Sequence, residues 1–368
     1  MSGDGESVDW LGNESGSGEG AECTGLSVEC HCHTHYQFYE AEEKLLLGLV
    51  ALPIIAFGVC ANLTSVKVFT HKLMRSSSIN WYLAVLSCSD TFTLISAFFV
   101  LALPRVGEFF RHFGATQISY WTTPYMYALM VLAQTVSVYM TVLMSVHRFI
   151  GVCFPFKAQN VLSRGRVKMA IGAVLIGALL FNTTRFFEVR VVGTCFRYNI
   201  NTTMPVLVPT ALRLNATYRQ LFFGWAYTIV MFVLPFVSLI IVNSMVIFAV
   251  HRSRRLHAGL STGDDTTKKQ ELAKEISTSI MLVGIVVVFL ACNTLAFVVN
   301  ILENLEETSA LYQSLVSYSN LLVIINASIN ILIYCLFSDK YRLLLKYYLC
   351  CYWSREGEML LTAYQYHA

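Results

Sequence analysis

Between Glu275 and Glu303 the chain carries no charged residue.

 In full, the stretch is Ile276-Ser-Thr-Ser-Ile280-Met-Leu-Val283-Gly-Ile285-Val-Val-Val-Phe289-Leu-Ala-Cys292-Asn-Thr-Leu295-Ala-Phe-Val-Val-Asn300-Ile-Leu302. A helix needs about 20 mostly apolar residues to cross a bilayer, and this run exceeds that.

Six further runs lie on either side of it. They fall between residues 44 and 67, between 75 and 105 (broken only by Asp90), in the later part of 111–147, and within 168–185, 219–251 and 307–339. The turn between the last two spans, around Glu303 and Leu305, is short. Of the 368 residues, 55% are apolar and 13% charged, against roughly 25% charged in a soluble domain. That balance excludes an ordinary soluble enzyme and a disordered chain. Eleven cysteines are too dilute for a small disulfide scaffold, and a net charge of +3 is too small for a nucleic-acid binder. No internal repeat supports an inverted-repeat transporter. The expected fold is an all-α integral membrane seven-transmembrane helix bundle with a short interfacial C-terminal helix. Residues 1–43 are expected to be a disordered extracellular tail, 44–337 the bundle, and 338–368 the interfacial helix and a short cytoplasmic tail.

Basic residues set the orientation, because short cytoplasmic loops are enriched in Lys and Arg. None precedes Lys44. The loop after span three carries Lys157, Arg164, Arg166 and Lys168, and the loop after span five carries Arg252, Arg254, Arg255, Lys268 and Lys269. A multi-pass plasma-membrane protein with its N-terminus outside follows. The loop after span four is also basic (Arg190, Arg197, Arg213, Arg219), but long loops weigh less. No apolar segment near Met1 marks a cleaved signal peptide. Glycosylation acceptors with an outer setting are Asn13, Asn201 and Asn215; Asn62, Asn182 and Asn326 match the pattern within spans, where no glycan is added. Beyond span seven, Lys340, Arg342 and Lys346 mingle with Tyr341, Leu344, Leu345, Tyr348 and Leu349, as in an interfacial helix. Cys350 and Cys351 then offer palmitoylation sites.

Polar groups inside spans are costly and usually functional. Asp90 stands in the middle of span two and Ser137 in span three. Asn326 and Asn330, four apart, share one face of span seven. A sodium ion held by Asp90 and Ser137, with the two asparagines nearby, would satisfy the carboxylate; a protonated Asp90 bonded to Asn330 is the alternative. Arg148 ends span three and keeps its charge. Glu275, at the start of span six on the same side, is its expected partner.

These marks, taken in order, resemble the rhodopsin-like class of G-protein-coupled receptors over roughly residues 44–352. Gly58-Val-Cys-Ala-Asn62, Leu86-Ser-Cys-Ser-Asp90, Pro235 and Phe289-Leu-Ala-Cys292 match class positions in spans one, two, five and six. His147-Arg148-Phe149 stands for Asp-Arg-Tyr, and Asn330-Ile-Leu-Ile-Tyr334 for Asn-Pro-x-x-Tyr. Within the class the chain is similar to invertebrate FMRFamide-type neuropeptide receptors, through Arg75-Ser-Ser-Ser-Ile-Asn80-Trp-Tyr-Leu, Phe181-Asn-Thr-Thr-Arg185-Phe-Phe-Glu188, the stretch around Asn326 and Asn330, and Asn243. The resemblance implies a receptor for a short amidated peptide, coupled to a heterotrimeric G protein and without enzymatic activity. Asp90, Ser137, Asn326, Asn330 and Tyr334 would form its sodium and activation site, and Arg148 with Glu275 its G-protein latch.

Departures from the class pattern carry expectations of their own. The third-span cysteine of the class falls at Thr123, so Cys195 of the second outer loop is left to bond with one of Cys23, Cys30 or Cys32. Cys30-His31-Cys32-His33-Thr34-His35 also resembles a metal site, but an oxidising compartment favours disulfides. Asn293 and Leu295 replace the sixth-span Trp and Pro, so the switch is not a Trp rotation about a proline kink. Gln134, Tyr227, Asn300 and Asn320 are the expected inward ligand-binding residues, with Phe223 and Tyr125 near the rim. Glu188, Glu303, Glu306 and Glu307 are the outer carboxylates that a peptide Arg would seek. Met130 replaces the carboxylate that a monoamine receptor needs.

Other readings fare worse. Span seven has no lysine to hold retinal, and no second acid accompanies Asp90 in a proton relay. A chemosensory receptor of the same fold for small environmental ligands is the remaining alternative.

Overall fold

A computed structural model of the chain describes residues 36–259, 266–305 and 309–351. Among the described residues seven helices are long and apolar enough to cross a membrane: Ala41–Thr70, Ile79–Phe109, Phe113–Cys153, Arg164–Phe187, Ala216–Arg252, Ser277–Asn304 and Ala310–Phe337, here spans one to seven. Their side chains are apolar around most of the circumference, as expected of helices surrounded by lipid and by each other.

Small and amide side chains let the helices approach closely. Gly58 of span one faces Ser328 of span seven and Leu94 of span two. Four residues on, Asn62 Nδ2 donates to the Gly58 carbonyl (2.9 Å) and, across the interface, to that of Ala327 (2.7 Å). Asn80 Nδ2 donates to the Met74 carbonyl (2.6 Å) and so ties the turn between spans one and two. The largest apolar cluster fills the space between spans two, three, six and seven, with Leu83, Leu86, Met140, Met144, Ile285 and Tyr334 at its centre.

Proline shapes spans two and five. Pro104 and Pro235 lack the N–H that an α-helix requires. Wide π-type turns, Phe98–Ala102 and Ile229–Val233, precede them. In span five the Val230 carbonyl accepts from Tyr139 Oη of span three at 2.8 Å, which binds the two spans together. Span six, without proline, is one α-helix within Thr266–Asn304. Phe232, Phe236, Phe289 and Phe297 interlock between spans five and six, with ring centroids 5.5–6.2 Å apart. With Ile331 in place of proline, span seven is helical from Ala310 to Phe337.

Two elements mark the two ends of the bundle. Between spans four and five, β1 (Val189–Arg197) and β2 (Thr202–Pro209) form an antiparallel hairpin. At the opposite end Ser338 caps an amphipathic helix, Asp339–Lys346, by accepting from the Tyr341 amide. Tyr341 is fully buried, its hydroxyl 2.6 Å from Ser65 Oγ and its ring against Phe69 and Tyr334. The interfacial helix expected from the sequence is therefore docked on spans one and seven. Tyr36 is buried and helix starts at Ala41, so residues 36–43 form a packed approach to span one.

Candidate functional site

In the middle of the bundle Asp90 is 1% exposed. Ser137 Oγ donates to its Oδ1 (2.7 Å) and Asn330 Nδ2 to its Oδ2 (2.8 Å). Three of the five residues read from the sequence as an activation site thus meet directly, joining spans two, three and seven. Tyr334, one turn past Asn330, is fully buried, and Ser87 Oγ has no hydrogen-bond partner among the described residues. Asn326, one turn before Asn330, is partly buried. Spans three and five are tied nearer the hairpin-distal end, where Asn243 Nδ2 donates to Ser145 Oγ (3.0 Å).

At that end His147 does not act as the Asp it replaces. Its Nε2 lies 3.2 Å from Ser78 Oγ, and its ring packs edge-on against Tyr82 at 5.6 Å. Arg148 beside it is half-buried. The Glu275 side chain, and with it the expected latch, lies outside the described residues.

At the hairpin end the charged groups are buried and joined. Arg185 (2% exposed) and Glu188 (0%) pair at 3.2 Å. Arg213 Nη1 adds a contact to Glu188 at 3.0 Å, and Tyr218 Oη donates to it at 2.7 Å. The Arg185 guanidinium also stacks over the Tyr227 ring, 4.8 Å from its centroid. Glu188 is therefore neither a solvated loop acid nor an open carboxylate for a ligand, because local basic groups already fill its acceptor positions. Glu303, within electrostatic reach of Arg213 and Arg185, is exposed. Gln134 and Asn320 are partly exposed. Asn300 is buried and accepts from Thr228 Oγ1, which also accepts from Asn304 Nδ2 at 3.1 Å. It serves first as a tie between spans five and six. Tyr125 is exposed and Met130 buried in an apolar cluster. Glu306 and Glu307, and the Phe223 side chain, lie outside the described residues.

A third buried carboxylate has no clear mark in the sequence. Glu108, 4% exposed near the end of span two, accepts from the Tyr39 amide (3.0 and 3.1 Å), from Tyr36 Oη (3.3 Å) and from Lys44 Nζ (3.1 Å). Arg105, one turn earlier, stacks on Tyr39 at 4.3 Å and faces Glu43 at 3.6 Å. Burial pushes the Tyr36 and Tyr39 hydroxyls above the ordinary tyrosine range, so both stay protonated. The signal available in the sequence was the i, i+3 spacing of Arg105 and Glu108 at a span end, which reads equally well as solvated charge.

Cys195 is 3% exposed and disulfide-bonded. Cys60, Cys88, Cys153, Cys292 and Cys335 are free, and Cys23, Cys30 and Cys32 lie outside the described residues. So do Asn13 and the Cys350 and Cys351 side chains. Asn201 and Asn215 are exposed on the hairpin side. Among the described residues no group of three or more His, Cys, Asp or Glu could hold a metal ion; the Cys-His run of the tail lies outside them.

Seven spans, a carboxylate at the junction of spans two, three and seven, and a docked helix after span seven define a class of membrane receptor. Residues 61–334 match the family described as 7 transmembrane receptor (rhodopsin family), and the chain belongs to it. It is 31% identical to the FMRFamide receptor of Drosophila melanogaster over 302 residues, which is 82% of this chain and 53% of that protein. The chain thus spans about half the length of that relative. Two Caenorhabditis elegans proteins are 29% identical: probable G-protein coupled receptor frpr-1, over 89% of this chain and 86% of the relative, and FMRFamide peptide receptor frpr-18, over 84% and 71%. The family is one of receptors, not enzymes.

Proposed function

We propose that the chain is a plasma-membrane receptor whose hairpin end, facing outward, binds a short amidated peptide of the FMRFamide type. Its opposite end would then promote nucleotide exchange on a heterotrimeric G protein. The observation that carries this reading is the cluster in which Arg185 stacks on Tyr227 of span five with Glu303 of span six, an exposed carboxylate, within electrostatic reach. Tyr227 would be an aromatic wall, Glu303 the carboxylate that Glu188 cannot supply, and Gln134 and Asn320, partly exposed on spans three and seven, the amides. A peptide amide needs hydrogen-bonding partners, its Phe ring an apolar wall and its Arg an acid. The names of the relatives point the same way. Binding drives signalling only if the peptide holds the active arrangement more tightly than the resting one. The test is a calcium and cAMP screen of amidated peptides on cells expressing the chain, followed by GDP release in nanodiscs. A chain that answers no amidated peptide at confirmed surface expression would defeat the reading.

The same reading places glycans on Asn13, Asn201 and Asn215, palmitate on Cys350 and Cys351, and a latch between Arg148 and Glu275. It also places a sodium ion at Asp90. Asp90, Ser137, Ser87 and Asn326 present oxygen atoms suited to a hard cation. Sodium that favours the resting form must lower peptide affinity by linkage, by a factor on the order of 5–150. Replacing choline by sodium is expected to weaken peptide potency in the natural chain and to leave Asp90→Asn unshifted. An equal sodium shift in both would remove the ion from Asp90.

A further inference from the structure

At the end of the bundle distant from the hairpin, a cavity of about 450 Å³ opens between span one and the docked helix. That volume lies within the roughly 300–1,000 Å³ range of small-molecule sites. Thr64 and Lys67, one turn apart, form one wall with Thr70 and His71 at the end of span one. The other wall is Tyr348 and Leu349, in the wide turn Tyr347–Cys351 that continues the docked helix. The His71 and Tyr348 rings meet edge-on, their centroids 6.2 Å apart.

The polar groups of these walls divide into donors and acceptors. Lys67 is exposed and has no acidic partner among the described residues. His71 Nδ1 accepts from the Leu73 amide at 3.3 Å. Burial, helped by the charge of Lys72, holds the His71 pKa below the ordinary histidine value. The ring is therefore neutral at pH 7, with its proton on Nε2 as a second donor. The threonine hydroxyls already donate to their own helix, Thr64 to the Cys60 carbonyl (2.8 Å) and Thr70 to that of Val66 (2.7 Å). Only their lone pairs are left, so they accept. A fitting ligand carries an anion for Lys67 and His71, and hydroxyls of its own for the threonines. Leu63 and Leu349, on either side, are half or more exposed, as expected where acyl chains lie against the protein. Basic pockets at this level of a bundle take phosphorylated lipid headgroups.

We infer that this cavity holds the headgroup of an inositol phospholipid. Its phosphate pairs with Lys67 and accepts from His71, and its ring hydroxyls donate to Thr64 and Thr70. A serine headgroup fits less well, because it would set its ammonium beside that of Lys67. The bound lipid fastens the docked helix to span one. Only the leaflet rests on the orientation proposed above: with the hairpin outward, the cavity meets the cytoplasmic leaflet, where anionic lipid lies. The headgroup assignment stands whatever the peptide.

The test uses the full chain in phosphatidylcholine nanodiscs doped equally with phosphatidylinositol phosphate and phosphatidylserine, and counts the lipid retained by native mass spectrometry. Phosphatidylinositol phosphate is expected to stay bound in preference to phosphatidylserine. Lys67→Gln is expected to weaken its retention about tenfold, the worth of one hydrogen bond to a charged group. Lys340→Gln, an exposed cation that does not line the cavity, is expected to retain it as the natural chain does. Equal retention of the two lipids overturns the assignment, as does unchanged retention in Lys67→Gln or an equal loss in Lys340→Gln. Displacement of the lipid by an equal concentration of soluble inositol phosphate overturns it too, since the site would then belong to a free ligand.

Discussion

Gly58→Val is expected to leave almost no receptor at the cell surface. A Cβ at residue 58 would lie 2.6 Å from Leu94 Cδ1 and 2.8 Å from Ser328 Cβ, and closer still to Ser328 Oγ. Ser328 cannot easily turn aside, because its hydroxyl donates to the Ile324 and Ile54 carbonyls. Leu94 is fully buried. Overpacking of this kind costs about 1–3 kcal/mol for extra methylenes in a tight core, and valine adds two methyls beyond the Cβ. Separating span one from span seven would also strain the bond from Asn62 to the Ala327 carbonyl. Gly172 and Gly177 of span four, with open space where a Cβ would stand, are the controls. Surface epitope counts and thermal melting of purified chain measure the difference. Gly58→Val matching Gly172→Val in both would show that spans one, two and seven do not meet here.

The architecture was legible because charge is expensive in lipid. Each span is bounded by Lys, Arg, Glu or Asp, and the interval between such residues measures its length. Asp90, Ser137 and Asn330 were legible for the same reason: a carboxylate in mid-span must find partners, and the polar side chains able to supply them are few. Span ends give no such signal. Glu108 and Glu188 sit where water is normally at hand, and neither sequence neighbourhood shows that its carboxylate is enclosed. Glu108 is enclosed by Tyr36 and Tyr39, about 70 residues earlier, and Glu188 by Arg213 and Tyr218 from beyond the hairpin. The hairpin itself had a sequence signal, in the β-branched runs Val189-Arg-Val-Val192 and Val206-Leu-Val208. The π-type turns before Pro104 and Pro235 have no comparable pattern; proline marks where the hydrogen-bond ladder is broken, not how the helix repairs it.

Glu188→Ala should be the most damaging single change at the hairpin end. Removing one partner of a buried pair leaves the other charge uncompensated and costs about 3–5 kcal/mol. Here Arg185, 2% exposed and still confined against Tyr227, loses the Glu188 carboxylate. Arg213 and Tyr218 lose the same acceptor, so the start of span five loosens from the end of span four. A large fall in melting temperature is expected, with loss of peptide response even at matched surface expression. The double variant Arg185→Met with Glu188→Leu separates stability from signalling. Apolar replacement of a buried pair is often neutral or stabilising, so its melting temperature should recover, while the Tyr227 wall without its guanidinium should still fail to respond. Glu303→Gln gives the opposite pattern: an exposed acid contributes little to stability, yet a peptide cation would lose its carboxylate and potency would fall. A normal melting temperature for Glu188→Ala would mean that water reaches this carboxylate, and that the cluster does not hold spans four and five together.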